Sequence, residues 1–279
     1  MNLVIQGRDV ATPDLKAIAK LARASGVEQI TPTAFRLLAA QSDPAIAAAC
    51  EAAQLDFAFV PADRRLADLR LCVMDMDSTL ITIECIDEIA DMQGLKPQVA
   101  AITAAAMRGE LDFQQSLRRR VALLKGLDAS ALQRVYEERL KLSPGAEIML
   151  KKFRALGVKT LLLSGGFTFF TSRLKERLNL DYTRSNTLEI VDDKLTGEVL
   201  GDIVDADVKR ATLIEIRDEL KIGNSQVLGL GDGANDLKFM GEAGVSVAYH
   251  AKPVVRAQAT HALNYVGLDG VRVVRRSQV

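Results

Sequence analysis

The stretch Leu71-Cys72-Val73-Met74-Asp75-Met76-Asp77-Ser78-Thr79-Leu80 decides how the chain is read. A short apolar run without alternation fits a strand buried on both faces, as in a parallel sheet. It ends in two carboxylates spaced i, i+2. In open α/β sheets the C-terminal strand ends face the ligand crevice. Two acids at that edge repel one another unless a proton or a cation separates them. Such an oxygen cluster suits Mg2+, which prefers carboxylate and carbonyl oxygens and keeps several waters. The residues therefore suggest a metal-assisted site with one carboxylate available to attack. Taken alone, the pair fits a strand followed by an acidic turn equally well, because turns favour Asp.

Two more strand ends join the first. Val227-Leu228-Gly229-Leu230-Gly231 is a second apolar run, and it leads into Asp232-Gly233-Ala234-Asn235-Asp236. Gly231 and Gly233 let the backbone turn beside a ligand, and Asp232 and Asp236 add oxygens suited to a hard cation. A third strand, Val158 to Leu163, ends in Ser164-Gly165-Gly166, whose N–H groups can meet a phosphate. Lys209, at the start of an expected helix, supplies a point charge for the same anion. An acidic metal site beside an anion site fits phosphoryl transfer, where positioning and charge neutralisation do most of the catalysis.

The segments Asp75-Met76-Asp77-Ser78-Thr79, Ser164-Gly165-Gly166, Lys209 and Gly231 to Asp236 resemble the four ordered motifs of the haloacid dehalogenase-like phosphohydrolases. Glu84-Cys85-Ile86-Asp87-Glu88-Ile89-Ala90 and Phe113 to Val121 resemble the cap of the phosphoserine phosphatase family among them. The resemblance runs over roughly residues 70 to 270. It implies an α/β fold: a doubly wound parallel sheet, the Rossmannoid core of that superfamily, with an inserted helical cap. It implies Mg2+-dependent hydrolysis of O-phospho-L-serine through an aspartyl-phosphate, the last step of serine biosynthesis. In that scheme Asp75 is the nucleophile and Asp77 the general acid, then base. The metal takes the side chains of Asp75 and Asp232 and the backbone carbonyl of Asp77, and Asp236 holds the metal's waters. Ser164, Gly165, Lys209 and Asn235 bind the phosphate. Glu84 takes the substrate ammonium and Arg120 its carboxylate, while Met107 and Phe113 line the cap side. Arg118-Arg119-Arg120 does not make a nucleic-acid patch, because consecutive helical residues diverge by about 100°. The alternatives kept open are another small phosphomonoester, such as phosphohomoserine, a signalling receiver, and an amino-acid sensor.

Composition is that of an ordinary soluble globular protein. The 279 residues are 48% hydrophobic and 26% charged, and 36 basic side chains balance 36 acidic ones. No global field then favours nucleic acid or membrane. Cys50, Cys72 and Cys85 lack metal spacing and read as reduced, which fits a cytoplasmic location. Neither a signal peptide nor a membrane-length apolar run is expected.

Residues 1–68 read as a separate small α+β domain. Strands are expected at Leu3-Val4-Ile5, Gln29 to Leu37 and Leu55 to Val60, with helices over Asp14 to Ala24 and Pro44 to Ala53. This resembles a shortened ACT-type domain, either a folding or dimer-forming appendage or a regulatory sensor. A homodimer is compatible with it. Residues 69–279 read as the phosphatase domain, with the cap over about 84–150. A hairpin is expected at Leu188 to Val199 and a last core strand at Gly244 to Ala248.

Overall fold

The structure, a computed structural model, describes residues 1–272, so the end of the expected 69–279 domain lies outside the described residues. The N-terminal part is a four-stranded antiparallel sheet in the order β2-β3-β1-β4. Its strands are β1 (Asn2–Gln6), β2 (Gly26–Thr31), β3 (Ala34–Leu38) and β4 (Asp56–Val60). Helices α1 (Thr12–Leu21) and α2 (Ala45–Ala52) bury Leu15, Ile18, Ile46 and Cys50 with Leu3, Ile5 and Leu37 of the sheet. Alternate strand residues, Val4, Ala34, Ala58 and Val60, pack on the other face. This is the β-α-β-β-α-β arrangement of a ferredoxin-like unit. The single strand expected over Gln29 to Leu37 is in fact a hairpin, β2 turning into β3 at Pro32-Thr33. Pro32 has no N–H for a ladder, so it divides the run.

The second sheet has seven strands in the order β11-β10-β9-β5-β6-β7-β8. They are β5 (Leu71–Asp75), β6 (Lys159–Phe167), β7 (Tyr182–Val191), β8 (Lys194–Leu200), β9 (Val227–Gly231), β10 (Val245–Tyr249) and β11 (His261–Leu263). All pairs are parallel except the β7–β8 hairpin. Cys72 and Met74 of β5 join one apolar cluster and Leu71 and Val73 the other, so both faces are covered. On one face α7 (Ala146–Ala155) and α8 (Thr168–Leu178) contribute Met149, Phe153, Phe170 and Leu174. On the other α9 (Ala206–Glu219), α10 (Leu237–Met240) and α11 (Pro253–Gln258) contribute Leu213, Phe239 and Val255. From β5 the chain builds outward through β6 to β8, then returns to lay β9 on the opposite side. The C-terminal end of β5 is therefore a topological switch point, where open α/β sheets bind ligands. Strand β6 runs past the expected Leu163 to Phe167, with a register shift that carries the Ser164-Gly165-Gly166 turn. Strand β11 had no clear sequence signal, being only three residues long.

Between β5 and α7 lie the helices α3 (Cys85–Asp91), α4 (Lys96–Met107), α5 (Phe113–Ala122) and α6 (Ser130–Arg134). The two ends of this block meet, with Thr82 N donating to Lys141 O and Ser143 N to Leu80 O, both at 2.9 Å. Ile86, Ile89, Leu117 and Val121 are buried, as their helical spacing predicts. Among the described residues no helix is long and apolar enough to cross a membrane.

Candidate active site

A cavity of about 560 Å³ lies between the β5 edge and the cap, lined by Asp75, Asp77, Glu84, Arg120, Gly165 and Asn235 among others. Its floor begins where β5 stops. The chain makes one wide turn over Met76–Leu80, closed by Ile81 N donating to Met76 O at 3.0 Å. Ser78 sits there at φ 57°. A left-handed non-glycine residue costs on the order of 1–3 kcal/mol and marks a place where geometry is being held for use. The turn sends Asp77 to the cavity and Thr79 back to the neighbouring strand end, where its hydroxyl donates to Asp232 Oδ1 at 3.0 Å.

Asp75 is 6% exposed, and Lys209 Nζ donates to its Oδ1 at 2.5 Å. The same ammonium reaches Asp236 Oδ1 at 2.8 Å. The first turn of α9 delivers the lysine, and Asp205 caps that turn by accepting from Asp207 N and Val208 N. Burial works against the Lys209 charge, but Asp236 and Asp75 outweigh it and its pKa is raised. Asp236 Oδ2 accepts from Asp232 N and Gly233 N at 3.2 and 3.1 Å. A Cβ on Gly231 would lie 2.6 Å from Asp236, so only glycine permits that approach.

The carboxylate oxygens of Asp75, Asp232 and Asp236 lie within 4.8 Å of one another. One ammonium cannot balance three carboxylates. Burial and the Asp236 charge accordingly push Asp75 well up and Asp232 to about 6. The donor set is all oxygen and short of positive charge, and it therefore fits a hard divalent cation. Asp236, expected only to hold metal waters, is the third carboxylate of this cluster, while Asp77 enters it by no side-chain atom.

Asp77 has other partners. Its Oδ1 accepts from Cys85 N at 2.8 Å and its Oδ2 from the Ser164 hydroxyl at 3.3 Å. Burial, then Glu84, raises its pKa to about 7. Ser164 is fully buried and bonded to Asp77, whereas Gly165 and Gly166 face the cavity. A Cβ on Gly166 would meet Asp77 Oδ2 at 2.8 Å. Asn235 Nδ2 contacts Asp236 Oδ1 at 3.4 Å.

In the roof, Glu84 Oε1 accepts from the Ser78 hydroxyl at 2.6 Å. Arg118 and Arg119 are exposed, while Arg120 is half-buried and lines the cavity. Its Nε donates to Ser116 O at 3.4 Å, and among the described residues it forms no ion pair. Burial lowers its pKa, opposed by Asp87, Glu84 and Asp77. Met107 and Phe113 line the same roof.

Thr79, Asp87, Lys252 and Asn186 were not singled out from sequence. The first three touch the site through Asp232, Arg120 and the cavity wall. Asn186 is a buried amide that bonds Gly165 O at 2.8 Å. It stands in the middle of β7, ahead of the hairpin expected at Leu188 to Val199, so no sequence signal marked it.

The family model of haloacid dehalogenase-like hydrolases matches residues 69–244, and that of a domain of unknown function, DUF4072, matches residues 3–49. A phosphoserine phosphatase of Polaromonas sp. is 55% identical over 212 residues, which cover 74% of this chain and 90% of that protein. The crystal structure of a probable phosphoserine phosphatase from Vibrio cholerae superposes with a TM-score of 0.86 at 38% identity, covering 98% of this chain and 85% of that one. A structure described as a phospho-aspartyl intermediate analogue of phosphoserine phosphatase superposes at 0.70 with 36% identity, covering 75% of this chain and 99% of that one. With the acidic strand ends, the glycine turn and Lys209 assembled at one sheet edge and the family model matching residues 69–244, the chain belongs to the haloacid dehalogenase-like hydrolases.

Proposed function

We propose that the chain is a phosphoserine phosphatase that hydrolyses O-phospho-L-serine to L-serine and phosphate with Mg2+ as cofactor. One observation carries the substrate: Arg120, half-buried in the roof and with no ion pair among the described residues, faces the same cavity as Glu84 and the floor carboxylates. Phosphoserine brings a carboxylate for Arg120, an ammonium for Glu84 and a phosphate for the floor. A guanidinium takes a carboxylate in a bidentate pair.

The residues divide the work as follows. Lys209 holds one oxygen of Asp75, and the other attacks phosphorus. The P–O bond to the serine oxygen breaks as Asp77 gives its proton to the leaving alkoxide, and Asp75 becomes an aspartyl-phosphate. Burial beside Glu84 raises the Asp77 pKa to about 7, the direction that an acid at this step requires. Asp77, now a carboxylate, takes a proton from water. That water attacks the phosphorus and the P–O bond to Asp75 breaks, restoring both groups. Asp75, Asp232 and the Asp77 carbonyl would hold Mg2+, which supplies positive charge to the phosphoryl oxygens. Gly165 and Asn235, at the cavity wall, offer polar contacts to the phosphate, while the Ser164 hydroxyl behind them turns to Asp77. The relative described as a phospho-aspartyl intermediate analogue supports the covalent step.

The same proposal takes residues 1–68 and 69–279 as two domains, the first ACT-like on the support of its strand order. It places the enzyme in the cytoplasm at the end of serine biosynthesis, compatible with a homodimer and with no nucleic-acid or membrane partner. Balanced charge and three free buried cysteines support that setting. A phosphate-release screen over phosphorylated amino acids and sugars, with and without Mg2+, tests the function. Phosphoserine with Mg2+ should lead; equal or better turnover of phosphohomoserine or a sugar phosphate would overturn the substrate.

A further inference from the structure

Asn186 lies on β7, 1% exposed. Its Nδ2 donates to Gly165 O at 2.8 Å, and its Oδ1 accepts from Val204 N at 2.8 Å. A carbonyl only accepts and an N–H only donates, so the two partners fix which end of the amide is which. The Gly165 carbonyl shares a rigid peptide plane with the N–H of Gly166. That N–H donates to Ser164 Oγ at 2.8 Å. The bond occupies a lone pair of the hydroxyl and leaves its proton for the opposite side, where Asp77 Oδ2 stands 3.3 Å away. An unbroken hydrogen-bonded path thus runs from Asn186 through one peptide group and one hydroxyl to Asp77.

The second arm reaches the lysine. Val204 precedes Asp205, whose carbonyl accepts from Lys209 N at 2.9 Å and whose side chain caps α9. One buried amide therefore ties the glycine turn after β6 to the start of the helix that carries Lys209.

Building on the phosphatase reading, we propose that Asn186 is a positioning residue for the reaction, locking the Gly165–Gly166 peptide so that the Ser164 hydroxyl points its proton at Asp77. With Cys85 N on its other oxygen, the aimed hydroxyl holds the Asp77 carboxylate in one orientation at the cavity wall. Asn186 touches neither substrate nor metal, and its effect passes entirely through its neighbours.

A double-mutant cycle tests this. Asn186→Asp keeps an acceptor for Val204 N but sets a second carboxylate oxygen against the Gly165 carbonyl, so it breaks one arm only. Against phosphoserine and 4-nitrophenyl phosphate, kcat should fall about 10- to 100-fold, with KM within about threefold. In a Ser164→Ala background the same change should cost less than about threefold, since no hydroxyl remains to be aimed. Equal losses in both backgrounds would overturn the role, as would unchanged kcat. Should Asn186→Asp not fold, Asn186→Ser, too short to reach Gly165 O, goes through the same cycle with the same two outcomes. The second substrate separates the two claims. If the parent cleaves 4-nitrophenyl phosphate but not phosphoserine, the substrate reading fails while the cycle on Asn186 still decides.

Discussion

Lys209 beneath the cavity and Arg120 in its roof are cations serving one site, and they are held in opposite ways. Lys209 is 1% exposed and bonded to two carboxylates at 2.5 and 2.8 Å. A buried ammonium without partners would cost several kcal/mol, so its ion pairs belong to the fold itself. Arg120 is half-buried, makes one long bond to a carbonyl and pairs with no carboxylate among the described residues. Asp87 and Glu84 favour its charge from a distance without closing on it. The floor thus carries its charges already arranged, whereas the roof leaves a guanidinium whose partner arrives with the ligand. Chemistry is built in and recognition is left open.

The sharpest way to break this contrast is at the nucleophile. Asp75→Asn should lower kcat on the order of 10⁴-fold or more on every phosphomonoester while the protein stays folded. A loss below tenfold by phosphate release would show that Asp75 is not the attacking group. Removing the metal with a chelator should likewise abolish turnover of all substrates, and Mg2+ should restore it. Excess Ca2+ should inhibit, because its looser coordination misplaces the oxygens. Full turnover in chelator would contradict the metal-dependent reading.

Lys209→Met comes next. It leaves Asp75 and Asp236 buried without their cation, which should cost about 3–5 kcal/mol of stability. Urea denaturation in chelator measures it. A destabilisation under 1 kcal/mol would mean that the ion pairs are dispensable to the fold, and the contrast with Arg120 would collapse.

Arg120→Ala should be quieter and selective. Losing a charge-assisted pair costs about 1.5–3 kcal/mol, or roughly 10- to 150-fold in kcat/KM for phosphoserine. Activity on 4-nitrophenyl phosphate, which has no amino-acid groups, should change far less. Glu84→Ala should follow the same pattern through the ammonium. Equal losses on both substrates would assign these residues to structure or chemistry instead.

The smallest effect is expected where the two sheets meet. Asp56, at the start of β4, is 2% exposed and accepts from Asn264 N, Tyr265 N and Val266 N at 2.7, 3.0 and 3.1 Å. Asn at this position keeps one acceptor and turns an NH2 toward an N–H. Asp56→Asn should therefore cost about 1–2 kcal/mol in denaturant unfolding, with kcat/KM unchanged. A parallel drop in kcat would show that the N-terminal sheet is coupled to the catalytic floor.

How much of this was legible depends on how far apart the partners lie. The strands ending at Asp75 and at Gly231 could be read because buried parallel strands are locally apolar and stop at local turn signals. Arg120 could be separated from Arg118 and Arg119 because helical periodicity is local too. The β2–β3 hairpin was missed although Pro32 stood in the run, because the flanking residues are strand formers on both sides. Asn186 and Asp56 stayed hidden because their partners lie 18 to 21 and 208 to 210 positions away.

Composition, periodicity and motif order by themselves determined the α/β class, the strand ends that carry the acids and the residue types of the candidate site, because each is written in short stretches of chain. Only the tertiary structure decided which charges neutralise which, that Asp236 rather than the Asp77 side chain completes the carboxylate cluster, and that burial beside Glu84 pushes the Asp77 pKa up. Those properties arise from desolvation and from contacts between distant residues, such as Lys209 and Asp75, which are 134 positions apart. No local pattern encodes a dielectric environment or a distance across the sheet.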